Sequence, residues 1–61
     1  MYLIKITYFD GFSEICGRCY ASSIQAQRAA AELYKRPKTQ AVEILVVESQ
    51  RTLRKLTKSE L

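Results

Sequence analysis

Asp10-Gly11 lies between two stretches of alternating apolar residues, and a dipeptide of that kind in that position calls for a β-hairpin. Tyr2 to Phe9 alternates and is rich in β-branched and aromatic residues, and Ser13 to Tyr20 returns in the same manner. A two-residue type I′ turn is the expected corner, and it sets the register. On one side Phe9 would face Phe12, Thr7 would face Glu14, Lys5 would face Cys16 and Leu3 would face Arg18. On the other, Tyr8 would meet Ser13, Ile6 would meet Ile15, Ile4 would meet Gly17 and Tyr2 would meet Cys19. The second set is uncharged and holds the isoleucines, so it is expected to form the core. Gly17 in mid-strand suggests a bulge or a helix passing close above.

Ser22-Ser23-Ile24-Gln25 has the spacing of a capping box, with Ser22 as N-cap and Gln25 reaching back to it. The alanine-rich run that follows favours a helix over 22–36, with Lys35 and Arg36 at the negative end of its dipole and Pro37 stopping it. At 3.6 residues per turn, Ala26, Ala29, Ala30, Leu33 and Tyr34 share one side. Residues 40–48 then read as a strand, with Val42, Ile44 and Val46 pointing one way and Glu43, Leu45 and Val47 the other.

The expected fold is α+β, ββαβ, with an antiparallel sheet of order 2-1-3 and one helix packed on one face. That order makes every pairing antiparallel and puts the most apolar strand in the middle. The hairpin spans 2–20, and residues 49–61 stay open between two readings. Arg51, Arg54, Lys55 and Lys58 fall on a helical stripe, while a turn at Ser49-Gln50 could start an edge strand over Thr52–Thr57, giving ββαββ; a short edge strand, or an extension of the third strand, with a frayed end is the preferred reading.

Size narrows the function classes. Sixty-one residues make a single small domain that buries only about 60% of its unfolded surface, so a second copy or a partner would add stability. No apolar run approaches the roughly 20 residues of a membrane span, and Lys5 interrupts any signal-like N-terminus, so a cytoplasmic protein with reduced thiols is expected. Histidine is absent, the six carboxylates form no pair in a shared pocket, and no glycine-rich phosphate loop occurs. The chain therefore reads as a non-enzyme, with no cofactor and no small-molecule substrate.

Cys16-Gly17-Arg18-Cys19 has the spacing of a redox or metal pair, but on a regular strand its thiols point to opposite faces. Ordinary thiols are the plainer reading; two chains could supply four thiolates to one zinc only if Gly17 bends the strand. The sheet face away from the helix is expected to carry Leu3, Phe9, Phe12, Leu45 and Val47. Soluble monomers seldom expose a contiguous apolar patch that large, so this face is expected to bind a protein partner or a second copy. The net charge of +4 also suits anionic partners. Arg51, Arg54, Lys55 and Lys58 could contact phosphates, which makes a small basic nucleic-acid binder the alternative function.

The run Ile4-Lys5-Ile6-Thr7-Tyr8-Phe9-Asp10-Gly11, then an alanine-rich helix, then Val42-Glu43-Ile44, resembles small uncharacterised ββαβ proteins of bacteriophages and other mobile elements. The resemblance spans residues 2–48 and is one of pattern. It implies a protein that binds, blocks or adapts a host protein, and it transfers no functional residues.

Overall fold

Ala26 and Ala30 are 0% and 1% exposed, so a methyl group is all that separates the helix backbone from the layer beneath it. The computed structural model describes residues 1–58. They form β1 (Tyr2–Tyr8), β2 (Ser13–Ile15), α1 (Ser23–Tyr34), β3 (Thr39–Val46) and β4 (Arg51–Thr57). The sheet has four strands in the order β2-β1-β3-β4, every pair antiparallel. The expected 2-1-3 arrangement is thus present and extended by one edge strand.

The core is made where α1 crosses the two central strands. Ile4 and Ile6 of β1, Val42 and Ile44 of β3, and Ala26 and Ala30 of α1 form one buried cluster. Tyr2, Tyr8, Cys16, Tyr20, Ala29, Leu33, Tyr34 and Leu56 pack partly buried around it. Each fully buried aliphatic side chain contributes about 1.5–3 kcal/mol, which is most of what so small a domain has to set against chain entropy.

The hairpin register differs from the one expected, by one residue. Lys5 pairs with Ile15, Ile6 with Glu14 and Thr7 with Ser13. The loop is three residues long, Phe9-Asp10-Gly11, and not two. The Gly11 N–H donates to the Tyr8 carbonyl at 3.0 Å, and the Tyr8 N–H donates to the Phe12 carbonyl at 2.8 Å. Among described non-glycine residues only Gln50 has positive φ, so Asp10 does not take the conformation a type I′ corner demands. Its carboxylate instead accepts the Phe12 N–H at 2.8 Å, and Gly11 alone turns left-handed at φ 92. A type I turn closed by a left-handed glycine bulge results.

That slip moves side chains across the sheet. Ile15, expected in the core, is 55% exposed on the face away from the helix. Phe12, expected on that outer face, pairs with Tyr8 on the helix side, and the two rings stack at 6.2 Å. The returning strand is also shorter than 13–20. After Cys16 donates its N–H to the Ile4 carbonyl, Gly17, Arg18 and Cys19 leave the ladder, and Tyr20 rejoins it opposite Tyr2, the place expected for Cys19. The interruption at Gly17 is a bulge-like detour and not a close helix approach. A Cβ there would meet nothing within 4 Å.

The helix begins one residue later and ends two residues earlier than expected. Ser22 holds the N-cap position in extended conformation, but its hydroxyl makes no capping bond, so the anticipated capping box is not formed. The Lys35 N–H and Arg36 N–H donate back to Ala31 and Leu33, and the chain turns into β3 when the Thr39 N–H donates to the Arg36 carbonyl. β3 covers 39–46 in place of 40–48, and its sharper end is a turn over residues 47–50.

Residues 51–57 are a strand and not a helix, so the basic stripe at helical spacing does not form. β4 pairs with β3 along its length, with a register shift between Ile44 and Leu45 that leaves Leu53 unopposed. Residues 59–61, the expected frayed end of segment 49–61, lie outside the described residues.

Candidate functional site

Pro37 ends the helical stretch just where the hairpin tip of β1 and β2 comes past, and the two meet around a shared hollow. Tyr8, Phe9, Asp10, Phe12, Pro37 and Lys38 line it, and a second hollow beside it adds Arg36 and Thr39. The Phe9 N–H donates to the Lys38 carbonyl at 3.2 Å, which ties the hairpin tip to the segment that follows α1. Phe9 and Phe12 are 42% and 60% exposed there. Tyr8 is held from both sides, by the stack on Phe12 and by its hydroxyl, which donates to Glu14 Oε1 at 2.5 Å. That hydrogen bond to a carboxylate, with some burial, pushes the Tyr8 phenol above its ordinary pKa.

The apolar set expected on one face is therefore divided. Phe9 and Phe12 belong to this hollow, the latter because the three-residue loop turned it to the helix side. Leu3, Leu45 and Val47 lie at the other end of the molecule, around a shallow depression completed by Val46 and Gln50. Between them, on the outer face, run Lys5, Glu43 and Lys55 in register across β1, β3 and β4. Glu43 also accepts a hydrogen bond from the Thr52 hydroxyl. A charged row through the centre means that the outer face is not one continuous apolar surface.

The basic residues of β4 divide as well, because strand side chains alternate. Arg54 pairs with Ile44 and Lys55 with Glu43, so they sit on opposite faces. Arg54 donates to Gln27 Oε1 of the helix at 3.3 Å. Lys58 donates to the Arg36 carbonyl at 2.8 Å and stands 5.0 Å from the Tyr34 ring centroid. Arg51 is exposed at the start of the strand, opposite Val46. At the same end Glu48 accepts a hydrogen bond from the Met1 ammonium, which holds its carboxyl below the usual range.

Both thiols are free. Cys16 is half-buried against the core, and Cys19 is exposed in the detour before Tyr20. Among the described residues no three histidine, cysteine or carboxylate side chains gather as metal ligands, and no helix is long and apolar enough to cross a membrane.

The aromatic hollow is hidden in the sequence because its parts come from two separated segments, 8–12 and 36–39, and the two-residue turn puts Phe12 on the other face. Its one available signal was the density of rings on either side of Asp10-Gly11. Comparison with protein-family models, with curated proteins and with solved structures finds no match to this chain.

Proposed function

We propose that this chain is a non-catalytic protein-interaction module that docks its partner through the aromatic hollow at the hairpin tip. The observation that carries this reading is the exposure of Phe9 and Phe12 beside Tyr8 and Pro37 around a single depression. Aromatic side chains supply large contact area at small entropic cost, and buried aromatic anchors dominate the energetics of protein interfaces. Covering one such ring is worth about 1.5–3 kcal/mol. Arg36 and Lys38 on the rim favour a partner segment that is apolar at its centre and acidic at its edges.

The resemblance to small phage and mobile-element proteins points to the same class of role, in which a host protein is bound or blocked. Recognition of single-stranded nucleic acid is less well supported. Such binders stack bases on rings displayed beside cations, as Phe9 and Phe12 stand beside Arg36 and Lys38. The open sheet face, which would have to track the rest of a strand, carries Leu3, Ile15 and Leu45 with Lys5, Glu43 and Lys55 and, among the described residues, no ring.

The test compares the chain with its Phe12→Asp and Leu45→Asp variants, immobilised and exposed to extract of the native host, with circular dichroism as the control for folding. A partner retained by the parent and by Leu45→Asp, and lost by Phe12→Asp, is the expected result. Equal capture by all three would refute the hollow as the docking site. Sedimentation of the purified protein separates self-association from a foreign partner.

A further inference from the structure

We propose that the outer edge of β4 is a strand-addition site for an extended acidic segment of another protein. It is a surface distinct from the aromatic hollow and does not depend on it. Among the described residues the order β2-β1-β3-β4 leaves β4 with one neighbour, and its seven residues are as many as central β1 has. The opposite edge strand, β2, has only three residues. Edge strands are commonly kept short because their unpaired groups recruit other chains. β4 is not.

The ladder shows which backbone groups face outwards. The Lys58 N–H donates to the Gln40 carbonyl at 2.8 Å. In an antiparallel pair, bonding to one neighbour alternates along the strand, so Leu56 and Arg54, opposite Val42 and Ile44, also turn their groups to β3. Lys55 and Thr57 therefore present N–H and C=O to the open edge. Their side chains lie on the face away from the helix, while Arg54, Leu56 and Lys58 lie on the helix face.

Charge identifies the occupant. From Ser49 to Lys58 the sequence has four cations and no carboxylate. A second copy of β4 is a poor guest, because the two-fold antiparallel registers centred on residues 53 to 56, which overlap the strand most fully, oppose like charges. Centred on Arg54 it sets Arg54 against Arg54, centred on Lys55 it sets Lys55 against Lys55, and centred on Leu56 it sets Arg54 against Lys58. An acidic strand reverses each clash. The matching guest places carboxylates opposite Arg54, Lys55 and Lys58, and an apolar side chain opposite the half-buried Leu56. Main-chain bonds to Lys55 and Thr57 would supply affinity, and the alternate side chains selectivity.

The experiment titrates the full chain with a blocked synthetic peptide, Glu-Thr-Val-Glu-Glu, which in antiparallel alignment runs opposite Lys58 to Arg54. Binding is followed by amide NMR at low and moderate salt. The expected result is slowed hydrogen exchange at Lys55 and Thr57, with binding lost when the peptide is N-methylated at its threonine and at the glutamate that follows valine. Thr57→Pro removes one outward N–H without touching the β3 ladder or any charge, and it should abolish that protection. Arg54→Glu together with Lys55→Glu should weaken binding about tenfold or more.

Several outcomes would overturn the proposal. Equal binding of the N-methylated peptide, or equal competition by oligothymidylate of the same charge, would show an unspecific anion patch or a nucleic-acid surface. Absence of any peptide effect at low salt would show that the cations merely guard the edge against aggregation. Protection of Lys55 and Thr57 that rises with protein concentration alone would show that a second copy occupies it.

Discussion

Lys58 stands over Tyr34 with its ammonium 5.0 Å from the ring centroid, and the same ammonium donates to the Arg36 carbonyl at 2.8 Å. One side chain thus joins the end of β4 to the end of α1, across the sheet margin that the helix leaves uncovered. A cation over an aromatic face at a partly exposed site is worth about 0.5–1 kcal/mol. Lys58→Met keeps the aliphatic stem and removes the charge, and it is expected to lower stability by about that amount, read as a shift in the urea midpoint. An unchanged midpoint would show that the contact contributes nothing.

The two glycines should respond in opposite ways to the same change. Gly11 holds φ 92, and a Cβ there meets nothing within 4 Å, so the cost of Gly11→Ala is wholly backbone strain, about 1–2 kcal/mol. Gly17 also has open space around it, and its φ lies outside the left-handed region. Gly17→Ala should be neutral or stabilising by up to about 1 kcal/mol, because it restricts the unfolded chain. Thermal unfolding of both variants reads the contrast directly.

Alkaline titration reports on the Tyr8–Glu14 bond. The folded-state pKa of Tyr8 is raised, chiefly by that bond, above the ordinary value of 10.0. A raised pKa means that the interaction contributes its full stability below the unfolded pKa and loses it as pH climbs through the folded one. The Tyr8 phenol should ionise late, read by absorbance at 295 nm. Glu14→Gln removes the charge that opposes ionisation, and the late transition should move down.

Thiol chemistry should follow exposure. Cys19 is exposed and Cys16 is half-buried against the core, so a thiol reagent should modify Cys19 in a fast phase and Cys16 in a slower one. Denaturant should merge the phases. A single fast phase for both in the native protein would mean that the segment around Cys16 opens readily.

How far the fold could be read from the residues varied with how local the cause was. Ile4, Ile6, Val42 and Ile44 alternate with polar neighbours, and Ala26 and Ala30 repeat at helical spacing, so the core was visible in the periodicity. The hairpin was visible too, but Asp-Gly serves both a two-residue corner and a three-residue loop. The choice rested on whether Asp10 would take positive φ or accept the Phe12 N–H with its side chain. The second outcome sent Phe12 to the helix side and Ile15 to the open face. β4 was hard to read for a different reason. Leu56 is its one half-buried residue and the rest are exposed, so hardly any period of two is written into it, and the cations happened to fit a helical stripe. The aromatic hollow depended on that register and on Pro37, and was hidden with it.

The pairing of β1 with β3 joins Tyr2 to Val46 across most of the described chain. Ile4 and Ile6 complete their burial when Val42 and Ile44 arrive, because the buried residues that the helix sets against them are the alanines Ala26 and Ala30. A leading fragment that stops at Pro37 lacks Val42 and Ile44, two of the four large aliphatic side chains of the core. On a ribosome the hairpin and helix would emerge as a fluctuating, adhesive stretch, and collapse to the ordered state would wait until β3 had cleared the exit tunnel, a long loop closed in one late and cooperative step.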